Sequence, residues 1–291
     1  MRNVVFPVAC PVIARAGCGA LAALLLAALP AAGARASAAG ERVDFVTSYQ
    51  RPVTSDYDVY YAELRRQRFL ESVAGELNRV LALPASVTLT IAECGHSTTS
   101  WSAETRTVMI CYEFLDAVLA IAGESGASAE RVEQLFSGAV TFALFAEIGR
   151  ALVALHGLPV PQGAERAGDE FAALTLGAAE QDGDPSAAAA IEFYDSALRR
   201  PESGFEYLET HAFGRARLET VACILYGNAP ANHAQSLSRG IIAAKRAPRC
   251  GEELLAVAQA WDGYLKDHSR PAAPPTQLAA PQPVASPSTR L

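Results

Sequence analysis

The sequence predicts an α+β domain, mostly helical, with a small β-hairpin or sheet placed ahead of a long central helix. Three observations predict it. Two short β-patterned runs lie close together, near 87–92 and 105–111. Nearly everything after them is rich in Ala and Leu. One stretch, 129–156, is apolar almost all the way round, which suits a helix enclosed by protein. No internal boundary is visible, so sheet and helices are expected to share one core.

Residues 41–53 are mixed in character and read as irregular. Ser55 or Asp56 can cap a helix running to about Leu83, with Leu70, Val73, Leu77 and Val80 along one face. Pro84 stops it. Val87, Leu89 and Ile91 then alternate with Thr88, Thr90 and Ala92 as in a half-buried strand. A second β-rich run, Thr105 to Cys111, follows a polar loop around Trp101 to Glu104, and the two runs are expected to pair as a hairpin. Helices are expected near 113–122, 129–156, 165–180, 186–199, 211–226, 234–246 and 251–267. Ser128 suits the N-cap of the 129–156 helix, and Gly157 with Pro159 supplies its stop. Between Leu135 and Leu155 only Glu147 and Arg150 are charged. An unpaired buried ion costs several kcal/mol even after relaxation, so both need partners.

The two ends read differently from the domain of 41–268. The first 36 residues carry three Arg and no acid, and the apolar stretch Ala20–Leu29 is followed by Pro30 and small residues, a secretory signal-peptide pattern. Cleavage fits after Ala36 or Ala38. A membrane anchor would need about 20 apolar residues, so no span is expected in the mature chain. Residues 270–291 hold six Pro in 22 positions and read as a disordered tail. Export to the periplasm or the exterior is the expected localisation.

Of 291 residues, 51% are hydrophobic and 19% charged, which excludes a disordered chain. The net charge is −7, and removing residues 1–36 takes away Arg2, Arg15 and Arg35 to leave −10. An acidic chain with no Lys or Arg cluster is a poor partner for nucleic acid. Cys10 and Cys18 lie in the leader, leaving Cys94, Cys111, Cys223 and Cys250. An even number in an exported protein favours disulfides. Three pairings are open, of which local geometry favours Cys94 with Cys111 and Cys223 with Cys250. The rival, a zinc site of four thiolates, lacks any C-x-x-C spacing.

Within the central helix the residues run Phe142-Ala143-Leu144-Phe145-Ala146-Glu147-Ile148-Gly149-Arg150-Ala151-Leu152. This resembles the H-E-L-G-H-A-L active-site helix of a bacterial zinc metallopeptidase family, catalogued as a domain of unknown function and gluzincin-like in its motifs. The resemblance extends to Glu93-Cys94-Gly95, Glu104-Thr105-Arg106-Thr107 and Cys111-Tyr112-Glu113, and to Cys223–Pro230, Arg249-Cys250 and Trp261-Asp262, covering about 50–267. It implies a zincin-like fold. In such a motif two His at i and i+4 share a helical face and hold zinc, while the Glu between them activates the bound water. The resemblance therefore matches Glu147 to the general base. Glu165-Arg166-Ala167-Gly168-Asp169 has the spacing that supplies a third ligand, Glu165, and a supporting carboxylate, Asp169.

At the two His positions this sequence has Ala146 and Arg150. Alanine offers no ligand atom, and a guanidinium stays protonated and repels a divalent cation. His156 points elsewhere around the helix, and His96, His233 and His268 lack ligand spacing. The expectation is a former metal site at Ala146, Arg150, Glu165 and Asp169 with no metal and no cofactor, zinc being expected only in relatives with intact motifs. Two arrangements are open: Arg150 bridges Glu165 or Asp169 with Glu147 as a further partner, or Glu147 and Arg150 pair only with each other. His211, in Glu209-Thr210-His211, matches a family His that by analogy would stabilise a tetrahedral intermediate, though the residues by themselves favour a structural, helix-capping His; Arg217 matches a family Arg. Glu93 and Trp101 line a groove or serve as a loop acid and a packed ring.

The expected function is that of an exported metallopeptidase-like protein without catalysis, binding peptide or protein in the former cleft. An active hydrolase with an unrecognised metal arrangement has no G-x-S-x-G motif or Cys-His pairing in its favour. A structural or interaction protein of the cell envelope has only the Pro-rich tail. The sequence does not specify an oligomeric state.

Overall fold

A computed structural model describes residues 43–124, 126–180 and 183–270. The segment expected to be a signal peptide, 1–36, and the expected tail of 270–291 apart from Arg270 lie outside the described residues. The fold is α+β and mostly helical, with a mixed four-stranded sheet preceding most of the helices.

The segment expected to be irregular forms an edge strand, β1 (Phe45–Tyr49). Two helices follow in place of one, α1 (Asp58–Arg66) and α2 (Phe69–Val80), broken where Arg68 takes a left-handed φ of 54°. α2 buries Leu70, Val73 and Leu77 as its spacing predicts. The chain returns as β2 (Val87–Ala92), which pairs parallel with β1. β2 is central, so Thr90 and Ala92 are buried along with Val87, Leu89 and Ile91.

The expected hairpin between 87–92 and 105–111 is not formed. β4 (Thr107–Cys111) pairs parallel with β2, and the antiparallel partner of β4 is β3 (Thr99–Ser102), which includes part of the segment read as a polar loop. The sheet order is β1-β2-β4-β3. β3 is polar because it is an outer strand, and polar residues there need not be buried on both faces. Cys94 and Cys111 still bond, with Cα atoms 5.5 Å apart, because both follow or end parallel neighbours: Ala92 sits in register with Cys111.

Next come α3 (Tyr112–Gly123) and α4 (Ala129–His156). Ser128 Oγ accepts from the Arg131 amide, and Gly157 closes α4 in the left-handed conformation. The helix is apolar and long enough to cross a bilayer by composition, but it is enclosed by protein, packing mainly on α5 (Ala164–Glu180) and α6 (Ser186–Leu198). The helix expected over 211–226 starts later, as α8 (Arg215–Asn228), after a short α7 (Glu206–Thr210) that the sequence did not suggest, and that over 234–246 shrinks to α9 (Ala234–Ser238). α10 (Cys250–Leu265) docks on α8, joined by the Cys223–Cys250 disulfide.

Candidate functional site

α4 and α5 touch at two glycines. A Cβ on Gly168 would lie 2.5 Å from the Ala146 carbonyl oxygen, and one on Gly149 would lie 2.9 Å from the Gly168 Cα. This approach brings the i and i+4 carboxylates of α5, Glu165 and Asp169, against the middle of α4. Glu147 and Arg150, one turn apart on α4, face them.

Arg150 is 5% exposed and lies among three carboxylates. Its Nη1 is 3.0 Å from Glu147 Oε1, and its Nη2 donates to Glu165 Oε2 at 2.9 Å and stands 3.9 Å from Asp169 Oδ1. Of the two arrangements left open by the sequence, the bridged one is present. Arg217, from α8, completes the pairing: its Nε and Nη2 grip Asp169 at 2.6 and 2.7 Å, and its Nη1 approaches Glu165 at 3.3 Å and donates to the His211 carbonyl. Phe213 supports the Arg217 guanidinium from below, 5.1 Å from ring centre.

His211 ends α7 by its backbone, as a capping residue would, but its side chain enters the cluster. Nε2 donates to the Thr99 carbonyl at 3.0 Å and lies 3.3 Å from Glu147 Oε1, while Nδ1 faces Glu165 Oε2 at 3.4 Å. Thr99 of β3 donates its hydroxyl to Glu147 Oε1 at 2.8 Å. The Tyr207 ring packs on the imidazole with centroids 4.5 Å apart. Thus helix α4, helix α5, strand β3, the end of α7 and helix α8 each contribute one part.

The electrostatics follow from burial and pairing. Burial opposes the charged form of Arg150, but Glu147, Glu165 and Asp169 outweigh it and hold the guanidinium protonated. Burial also works against Glu165, yet the His211 hydrogen bond and the Arg150 and Arg217 charges bring its carboxyl down to about 2. Asp169 is pushed upward by burial, against the pull of its two Arg217 bonds. Glu147 Oε2, Arg150 Nε and Arg150 Nη1 are buried without a protein hydrogen-bond partner, the 3.0 Å approach of Nη1 to Glu147 Oε1 being an ion pair only. Glu165, whose side chain is 50% exposed, gives the cluster its opening to solvent.

The remaining residues lie elsewhere. Glu93 accepts from the Val53 and Thr54 amides and the Thr54 hydroxyl, fixing the loop before α1. Trp101 is half-buried on β3, opposite Val108. His156 stacks on His268 with centroids 3.8 Å apart, and His233 is buried against Glu180. Thr99, which sequence reasoning missed, is found only through the sheet, since a lone Thr in a polar run carries no signal.

A divalent cation does not suit these residues. Ala146 has no donor atom, and the Arg150 guanidinium already occupies the space between Glu147 and Glu165. Among the described residues, the group with three ligand atoms in mutual reach is Cys94, His96 and Cys111, two of which are tied in a disulfide.

No curated protein and no solved structure shows significant similarity to the chain. A family model, DUF4344, described as "Putative metallopeptidase", matches residues 49–265, which includes every part of the cluster. On that match, spanning about three quarters of the sequence, the chain belongs to this metallopeptidase family.

Proposed function

We propose that this protein is an exported member of its family in which an arginine has replaced the zinc centre, leaving a catalytically inactive scaffold that binds peptide or protein at the former site. The observation that carries the reading is the seat of Arg150, 3.0 Å from Glu147 and 2.9 Å from Glu165, the two carboxylates matched by resemblance to the general base and a metal ligand. Positive charge is kept at that point while Lewis acidity is lost. With both Glu147 and Glu165 engaged, neither is free to take a proton from water without breaking an ion pair.

Binding is supported by the position of β3. It is an outer strand of the sheet; Thr99 is buried with its carbonyl taken by His211, so an extended peptide adding to that edge would pair with the partly exposed Ser100–Ser102, next to the cluster. Export is supported by the leader pattern of 1–36 and by two disulfides, which fit an oxidising compartment.

Metal analysis of the purified mature protein tests the reading, alongside an Ala146→His, Arg150→His double variant. The expected outcome is no stoichiometric zinc in the unmodified protein and zinc uptake with peptidase activity in the double variant. One zinc per unmodified chain would overturn it.

A further inference from the structure

Away from the Arg150 cluster lies a second polar cleft, of about 430 Å³, between the first turn of α4, one face of α6 and the segment around α9. Arg131, Glu192, His233, Ser236 and Arg239 line it, with Ile191 among its apolar residues. Its volume falls within the range of small-molecule sites.

The charges around it are unevenly matched. Arg131 is neutralised by Glu192 and bonds Gln134 at 2.8 Å. Arg239 has Asp195 at 3.0 Å, but Asp195 also takes Arg199 at 3.1 Å and Arg215. Asp195 is fully buried, so one carboxylate serves three guanidinia and two positive charges are left over. The three arginine side chains remain 38 to 51% exposed, and one of them, Arg239, lines the cleft. Such an excess stands out in a chain of net charge −7. His233, buried in the lining, holds Glu180 at 2.9 Å, so that acid is engaged rather than facing a ligand.

We infer that this cleft binds a small, multiply charged oxyanion of the phosphate type, with Arg239 and Arg131 as its guanidinium clamps. Planar guanidinia match tetrahedral oxyanions with paired N–H bonds. Asn232, Gln235 and Ser236 add neutral polar groups to the same lining.

Titration calorimetry with inorganic pyrophosphate on the mature protein, at constant ionic strength against sodium chloride, tests it. The expected result is saturable one-to-one binding that weakens about tenfold or more in Arg239→Gln, as for loss of a charge-assisted clamp. Asp195 keeps Arg199 and Arg215 in that variant, so its melting temperature should stay near that of the unmodified protein. Glu192→Gln, which removes the competing carboxylate, should bind more tightly. Heats no different from the chloride control, or equal affinity in the unmodified protein, Arg239→Gln and Arg131→Gln, would overturn the assignment.

Discussion

Arg150 and Glu165 meet at 2.9 Å across the contact between α4 and α5, and they do so because Gly149 and Gly168 let the two helices touch beside them. The ion pair and the glycine contact are parts of one arrangement: a wider helix separation would leave Arg150 buried beside Glu147 alone.

Arg150→Ala should therefore cost about 3–5 kcal/mol in denaturant unfolding, the usual result of leaving a buried partner uncompensated. Replacing both charges, as in Glu147→Leu with Arg150→Met, should cost clearly less. An unchanged melting temperature in Arg150→Ala would show that the bridge contributes nothing to the fold.

Gly168→Ala should destabilise by about 1–3 kcal/mol, since its methyl meets the Ala146 carbonyl and the backbone must shift. Gly75→Ala in α2, where nothing lies within 4 Å, should instead stabilise by about 0.5–1 kcal/mol. Opposite signs in thermal unfolding would separate close approach from helix propensity.

Acid unfolding should register Glu165. Its carboxyl is depressed from 4.5 to about 2, so the stability it contributes is complete above pH 4.5 and is lost as pH falls toward 2. Asp169 acts in the opposite sense, because its raised carboxyl is relieved by protonation. Glu165→Gln should flatten the stability–pH curve between 4.5 and 2, and a curve of unchanged slope would remove Glu165 from the account.

Removing the α8–α10 crosslink by Cys223→Ser with Cys250→Ser should lower stability by about 3–4 kcal/mol, the chain-entropy expectation for a loop closed over 27 residues. Urea midpoints of the oxidised and substituted proteins measure it directly.

What the sequence made legible was the strongest local signal. α4 runs from Ala129 to His156 as its cap, its stop and its apolar run predict. The need of Glu147 and Arg150 for partners was legible too, because an apolar helix cannot leave them as surface charges. The sheet was not. β1 is five residues long and gains its order from pairing with β2, while β3 looks like a loop because its residues are polar. Parallel pairing of β2 with β4 depends on a chain path that no local pattern records. The Arg68 break in α1–α2 has no glycine to announce it. His211 was ambiguous for a related reason: its backbone does end a helix, and only the tertiary fold turns its ring toward Glu147 and Glu165.

Arg270, just past α10, donates to the carbonyls of Asn78 at 2.7 Å and Val43 at 2.9 Å and pairs with Asp44. The domain thus receives and releases its chain at one shared doorway. A fusion, anchor or surface linkage attached at either end would hold the domain by the same point and present the same outward face. A short linker from 270 to 43 would accordingly permit a circular permutant, with new ends opened in an exposed loop.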